Sequence, residues 1–451
     1  MTAAIESTQA AFASILGAAH VVTDPVTCAG LGVDGMTPHI VLYPTSAEEV
    51  AAALRCAAEH DLAVIPCRNG TMLAVGNPPR RYDVALSLKD LNRVWHYEPA
   101  DLTITAEPGM KFGDFQHFVS REGLWLPLDP PGSARATLGG IVATNASGPL
   151  RLTYGAPRDM VLGMKIATTE GKVVKTGGRV VKNVAGYDIA KLLIGSYGSL
   201  GVIVEISLKL FPLPTHRATF VLTAGRLGIA RDFRRRILAS PLTPVRILLL
   251  DSGAASLVRR GPPPALEAHE PEIWLEFGGS LRVMERCAGE LEDVAKAAGA
   301  RISVLQSDEA DGIWSRLTDF RPWLREDFPH LVVLKATLPD SASEEFLSRA
   351  QQEAENDKVQ SAGFSQVGVG IVHVCLLGAE SEAALLGLIG RLRAAAQEFG
   401  GALVVEDAPV DVKKQLDVWG PVGDDFVIMK KLKALWDPKG ILSPGRFVGG
   451  L

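Results

Sequence analysis

Pro127-Leu128-Asp129-Pro130-Pro131 and, four residues on, Ala136-Thr137-Leu138-Gly139-Gly140-Ile141-Val142-Ala143-Thr144-Asn145-Ala146-Ser147-Gly148 form a block dominated by small residues. Small side chains make poor core, because each buries little apolar surface. They suit a place where backbone comes close to something flat and phosphorylated. A glycine amide can face a pyrophosphate with no Cβ in the way. Taken alone, the block also fits a tight loop packed against a helix. Two further stretches change the balance: the loop Pro66-Cys67-Arg68-Asn69-Gly70-Thr71 and the cluster Gly195-Ser196-Tyr197-Gly198-Ser199-Leu200-Gly201-Val202-Ile203. Three small-residue loops, none with the Lys of a P-loop, point to a large dinucleotide lying across one domain.

Outward from the block, the first of these loops closes a strand–helix–strand unit. Ile40-Val41-Leu42-Tyr43 reads as a strand. Ser46-Ala47-Glu48-Glu49 is a capping box opening a helix to about His60, with Val50, Ala53, Leu54 and Ala57 on one face. Leu62-Ala63-Val64-Ile65 is the next strand, and it runs into the 66–71 loop at its C-terminal end, where open sheets place ligands. Strands follow at 84–88, 94–98 and 102–106, a helix at 112–121, an irregular stretch at 123–155, and strands at 161–168, 172–176 and 202–211. Pro212 and Pro214 mark a boundary near 215. Beyond it the rhythm is strand–helix–strand repeated: strands at 218–223, 245–250, 272–277 and 301–305, then 331–338, a single strand at 367–377, and 402–406. Four domains or segments result: 1–37, 38–215, 216–410 and 411–451. The expected class is α+β.

Length and composition agree with this. The chain has 451 residues, room for two or three domains, and 47% hydrophobic against 22% charged residues, which is ordinary globular usage. Mean hydropathy is +0.16. A net charge of −5 lacks the basic field that sequence-independent nucleic-acid binding needs. The five cysteines, Cys28, Cys56, Cys67, Cys287 and Cys375, are odd in number and never spaced as Cys-x-x-Cys. That argues against a disulfide framework or an iron–sulfur cluster held by this chain, and no metal is expected. The opening MTAAIESTQAAFASIL has no basic region of a secretion signal, so a cytoplasmic location is expected.

Three apparent signals carry little. Gly30-Leu31-Gly32-Val33-Asp34-Gly35 fits G-x-G-x-x-G, but a strand rather than a helix follows it. Asn145-Ala146-Ser147 means nothing without secretion. The run Arg231-Asp232-Phe233-Arg234-Arg235-Arg236 reads as a solvated helix face.

Residues 38–215 resemble the FAD-binding domain of the vanillyl-alcohol oxidase (PCMH-type) flavoproteins. The matching pieces are Pro44-x-Ser46-x-x-Glu49-Val50, the 66–71 loop, Thr137-Leu138-Gly139-Gly140 with Asn145 and Gly148, and Tyr154-Gly155. The C-terminal Asp437-Pro438-x-Gly440-Ile441-Leu442 and Pro444-Gly445-Arg446 resemble the tail of the 2-hydroxyacid dehydrogenase branch. The most specific string, Gly177-Gly178-Arg179-Val180-Val181-Lys182-Asn183-Val184-Ala185-Gly186-Tyr187-Asp188, is similar to the smaller FAD-binding subunit (E subunit) of bacterial glycolate oxidase, also called glycolate dehydrogenase. The resemblance implies a PCMH-type FAD domain of two α+β subdomains and a ferredoxin-like α+β cap. Pro66, Cys67, Arg68, Asn69, Gly70 and Thr71, with Thr137, Leu138, Gly139 and Gly140, would cradle the pyrophosphate. Pro127, Asp129, Ala143, Asn145 and Gly148 would follow the ribityl and ring side. Gly201, Val202 and Ile203 would lie toward the adenine. Covalent members carry His directly after the first loop's Gly. Thr71 stands there, so the FAD is expected to be non-covalent.

The catalytic half departs from the pattern. Relatives carry Gly-Asp-Gly-Asn-x-His and Gly-Glu-His-Gly. Gly368-Val369-Gly370-Ile371-Val372-His373 and Val405-Glu406-Asp407-Ala408 stand in those places, so His373 and Glu406 survive, with Asp407 beside them. This trio is a base site, a weak metal site or a satisfied core cluster. Trp314-Ser315-Arg316 and Lys335 resemble positions that hold substrate. The resulting expectation is an FAD-bearing subunit of a glycolate dehydrogenase complex. Its partners would be a second, catalytic FAD subunit and an iron–sulfur subunit, and through them a peripheral place at the inner face of the cell membrane is the alternative to a free cytoplasmic one. A self-sufficient D-2-hydroxyacid (D-lactate) dehydrogenase and a silent flavin-binding assembly subunit are the alternatives.

Overall fold

The helix opened by Ser46 spans Ala47–Glu59. Ser46 Oγ accepts from the Glu49 amide at 3.2 Å, and Glu49 Oε2 accepts from the Thr45 amide at 2.6 Å, so the capping box closes one residue earlier than its usual form. Its Val50, Ala53, Leu54 and Ala57 are buried with Val84, Leu86, Val202 and Val204. Each large aliphatic side chain so buried contributes about 1.5–3 kcal/mol. The computed structural model describes residues 2–179, 187–260, 269–378 and 381–451. Residues 180–186 of the most specific motif and the Pro-rich 261–264 loop therefore lie outside the described residues.

By contacts the chain divides into two units. The first comprises residues 1–147, 156–213 and 413–451. It holds a four-stranded sheet in the order Val21–Val22, Ile40–Leu42, Val84–Ser87, Val64–Cys67, the last three parallel. It also holds a five-stranded antiparallel sheet in the order Val94–Glu98, Thr103–Ala106, Val202–Lys209, Val161–Ala167, Val173–Gly177. The C-terminal tail adds itself beside Val64–Cys67. The Val64 amide donates to Ile441 O at 2.8 Å and the Ser443 amide to Val64 O at 2.9 Å. The tail is pinned by Lys433, which is buried and donates to Ser199 O, Leu442 O and Asp437 Oδ2 at 2.8, 2.8 and 2.7 Å. Removing one partner of a buried pair strands the other charge. Lys433→Met is expected to lower stability by about 3–5 kcal/mol, read as a shift of the urea midpoint. A shift worth less than about 1 kcal/mol would show that these bonds do not hold the tail.

The second unit comprises residues 148–155 and 214–412. Its antiparallel sheet has eight strands, in the order Arg301–Leu305, His216–Thr223, Glu272–Gly279, Arg246–Leu250, Ser361–Gln366, Ile371–Leu376, Val332–Thr337, Ala402–Asp407. One face is covered by helices Ser252–Arg260, Ser307–Thr318 and Phe320–Asp327, which bury Leu257, Trp314 and Phe320 against Trp274, Phe364 and Cys375. The α+β class holds.

Four sequence expectations are corrected. The strand expected over 367–377 is present only as Ile371–Leu376, the second arm of a hairpin whose first arm, Ser361–Gln366, was not expected. Gly368 (φ 79°) and Gly370 (φ 74°) turn it, and a Cβ on Gly370 would lie 2.0 Å from Leu338 O. The stretch expected to be irregular contains the helix Leu138–Thr144, capped by Thr137 and ended by left-handed Asn145. The helices Ser252–Arg260, Ser307–Thr318 and Phe320–Asp327 were not expected, whereas those expected near 226–238, 280–298, 341–355 and 382–399 are present as Leu227–Ala239, Leu281–Ala298, Ser343–Asn356 and Glu382–Glu398. Finally, Arg234 in the basic run is buried and ion-paired with Asp340 at 2.6 Å and with Glu344, so that helix face is not wholly solvated. Among the described residues no helix is long and apolar enough to cross a membrane.

Candidate functional site

The first unit contains a cavity of about 970 Å³, counting the space at its mouth. Strand Val64–Cys67 delivers the loop to it, and Pro66, Cys67, Arg68, Asn69, Gly70 and Thr71 all line it. Gly70 is left-handed (φ 70°). Among the described residues the amides of Asn69, Gly70 and Thr71 donate to no protein acceptor. Consecutive amides facing one space make a concavity for an anion. Thr137, Gly139, Gly140 and Ala143 form a second wall, and Gly201, Val202 and Ile203 a third. Cys67 lines the cavity too, but burial pushes its thiol up to about 12, so it offers no thiolate.

The two glycines of the second wall play a different part from the one expected. The Gly139 amide donates to Pro108 O at 2.8 Å and the Gly140 amide to Thr137 Oγ1 at 3.3 Å. Neither amide is free for a pyrophosphate. A Cβ on Gly139 would stand 2.6 Å from the Cβ of Pro108, so this glycine lets the helix approach Pro108. Several expected residues lie off the cavity wall. Leu138 is in the core, Pro127 and Asp129 are buried elsewhere, and Asn145 accepts from the Arg158 amide at 3.4 Å. Gly148, Tyr154 and Gly155 belong to the second unit. The structure adds Pro108, Met72, Leu73 and Ser443, and it brings to the cavity Ser196, Tyr197 and Gly198 of the quoted 195–203 cluster and Arg446 of the quoted tail. Ser443 directly precedes the quoted Pro444-Gly445-Arg446 tail motif and Arg446 ends it, which was the available signal.

In the second unit three adjacent strands gather the remaining candidates. Lys335 pairs across the ladder with His373 on one side and Val404 on the other. A register shift on Ala402–Asp407, where Val333 pairs with Asp407 and Leu334 with Val405, inserts Glu406 as an extra residue. Glu406 then sits 3.4 Å from Lys335 Nζ and 3.6 Å from His373 Nε2. The His373 ring stacks on Phe364 (4.9 Å, 22°) and meets the edge of Phe320. Its Nδ1 is buried with no partner. Burial lowers the His373 value, opposed by Glu406, so the ring is neutral at pH 7. Burial alone would raise the Glu406 carboxyl, but the Lys335 ammonium and His373 override it and hold it well below the usual carboxylate range. Asp407 turns instead to Arg325 at 2.7 Å. Arg316 is exposed and donates to Val258 O at 3.3 Å, outside this cluster. The cation that acts on His373 and Glu406 besides Lys335 is Arg321, which the sequence did not single out. Among the described residues no three His, Cys, Asp or Glu side chains converge as for a metal ion.

Residues 38–177 match the family model "FAD binding domain", and residues 213–447, just over half of the chain, match "FAD linked oxidases, C-terminal domain". The chain belongs to the FAD-linked oxidases. It is 27% identical over 421 residues to glycolate oxidase subunit GlcD of Bacillus subtilis, covering 91% of this chain and 88% of that one. It is 28% identical over 415 residues to D-lactate dehydrogenase of Archaeoglobus fulgidus, covering 91% of each. In fold it is similar to p-cresol methylhydroxylase, with a TM-score of 0.77, 18% identity, and coverage of 99% of this chain and 97% of that one. FAD is the cofactor, and the chain is an oxidoreductase. The cavity of this FAD-linked oxidase fits the group: free amides at 69–71 suit the pyrophosphate, and the apolar Leu73, Val75, Leu88 and Val202 suit a flat ring system. Among the described residues the wall carries no histidine. The purified chain is expected to release intact FAD on acid precipitation, read as flavin in the supernatant. Flavin that stays in the pellet would contradict this.

Proposed function

We propose that this chain is the FAD-bearing subunit of a complex that oxidises glycolate to glyoxylate and passes the electrons to an iron–sulfur partner. The relatives named for glycolate and D-lactate oxidation support a small 2-hydroxy acid as substrate. FAD supplies an acceptor for the hydride from the substrate carbon. What the protein must add is a base for the hydroxyl proton and a cation for the carboxylate. The observation that carries the reading is the state of Glu406. Its two oxygens are engaged by Lys335 and His373, and Asp407 is engaged by Arg325. The cations that would take a substrate carboxylate are already committed, and the imidazole faces its own carboxylate inside an aromatic box. A flavin cavity in the first unit, together with a closed base cluster in the second, suits a subunit that holds cofactor within a larger assembly. On this reading residues 216–410 form the cap, and the complex works in the cytoplasm or at the inner face of the membrane through its partners. The test is anaerobic mixing of the isolated chain with glycolate or D-lactate while following the flavin absorbance.

A further inference from the structure

The loop that offers free amides at 69–71 continues through residues whose carbonyls are all held from one side. Arg446 Nη2 donates to Leu73 O at 2.6 Å and to Val75 O at 2.7 Å. Lys413 Nζ takes the carbonyl between them, Ala74 O, at 2.8 Å. Three consecutive carbonyls thus turn toward two buried cations of the C-terminal segment. Arg446 is 5% exposed and Lys413 2%, and Asp34 bonds Lys413 and lies 3.9 Å from Arg446 Nη1. The backbone of Arg446 is fixed as well. Its carbonyl accepts from the Asn77 amide at 3.1 Å and from Trp419 Nε1 at 2.9 Å. Gly76 (φ 104°) allows this approach, since a Cβ there would lie 2.8 Å from Arg446 O. Arg446 also lines the cavity, and its Nη1 is buried with no hydrogen-bond acceptor.

A peptide plane carries its N–H and C=O on opposite edges. Pulling the carbonyls of 73–75 to one side restricts how the preceding turn can orient its amides. The guanidinium can do this at two carbonyls because its donors are fixed in one plane, whereas an ammonium is a point donor. We infer that Arg446 is the positioning residue of the FAD loop: with Lys413 and Asp34 it latches residues 73–75 so that the 69–71 amides stay open toward the pyrophosphate. FAD retention then depends on a docked C-terminal tail, and by linkage bound FAD tightens the tail.

This rests on the FAD assignment, and the experiment separates the two. Apoprotein is titrated with FAD, following flavin fluorescence, for the wild type and Arg446→Ala, with and without ethylguanidinium. Wild-type apoprotein that binds no FAD would refute the assignment. Each lost charge-assisted hydrogen bond is worth about 1.5–3 kcal/mol. Arg446→Ala is therefore expected to weaken FAD binding at least about tenfold, with ethylguanidinium restoring most of it. Unchanged affinity would overturn the inference, and so would a loss that ethylguanidinium leaves untouched. If Arg446→Ala does not fold, hydrogen exchange on the wild type decides. Amides of 441–451 are expected to exchange more slowly with FAD than without it. Equal exchange would overturn the latch.

Discussion

Mixed anaerobically with glycolate or D-lactate, the isolated chain is expected to keep its flavin absorbance, or to bleach about 10²–10⁴-fold more slowly than a relative with an intact base. The reason lies in the electrostatics of three strands. A general base needs a lone pair directed at the substrate and a pKa that lets it take the proton. Burial keeps His373 neutral, which leaves a lone pair, but its Nε2 faces Glu406 and its ring stacks on Phe364 and meets the edge of Phe320. Glu406 is held as a carboxylate chiefly by Lys335, so it is a weak base and a poor proton acceptor. Freeing Lys335 to bind a substrate carboxylate would strip the buried Glu406 of the cation in contact with it, leaving a neutral ring and the Arg321 charge, which is costly for a buried carboxylate. Electrons, once in the flavin, must also leave through another molecule, because the five cysteines are separately buried and free. Adding a catalytic flavoprotein partner and an iron–sulfur partner is expected to restore rapid turnover. Fast bleaching by the isolated chain that disappears in His373→Ala would overturn this and favour a self-sufficient dehydrogenase.

The sequence exposed the parts of the fold whose signals are local. Ser46 and Glu49 declare a helix start, and the apolar run before Pro66 declares a strand leading into a loop. Gly70 marks a left-handed turn that other residues rarely adopt. Contacts between distant segments were less visible. Nothing local in Asp34, Lys413 or Arg446 shows that they meet, since 379 residues separate the first two. The decoy Gly30–Gly35 stretch is where Asp34 enters the molecule's interior, through a left-handed turn (φ 49°) rather than a dinucleotide fingerprint. In the second unit the apolar run 367–377 looked like one long strand, because glycine pairs also occur within strands. The left-handed Gly368 and Gly370 make it a turn, and the close approach of Gly370 to Leu338 O leaves no room for a side chain there. Arg316 and Arg321 illustrate the same limit. Both precede the Lys335 strand, but helix Ser307–Thr318 carries Arg316 toward Val258, and Arg321 falls on the next helix.

Gly139 and Gly140 distinguish a packing role from a ligand-binding one. If both amides served the pyrophosphate, Ala at either position would weaken FAD binding similarly and leave the apoprotein's stability unchanged. The structure assigns unequal effects. A Cβ on Gly139 meets Pro108 Cβ at 2.6 Å and Pro108 O at 3.1 Å, a contact neither ring nor backbone can yield without moving the helix Leu138–Thr144. On Gly140 the nearest atom is Thr137 Oγ1 at 3.2 Å, a hydroxyl that can rotate away, at the loss of one capping bond worth about 0.5–2 kcal/mol. Overpacking in a tight site costs about 1–3 kcal/mol. Gly139→Ala is therefore expected to lower the melting temperature of the apoprotein and to release FAD as the second wall shifts, and Gly139→Val to do both more severely. Gly140→Ala is expected to cost less on both measures. The check is apoprotein melting together with flavin titration for the three variants. Equal FAD loss at both positions with unchanged apoprotein melting would return these glycines to the pyrophosphate. The ordering follows from geometry alone: the helix can sit against Pro108 only where its residue has no side chain.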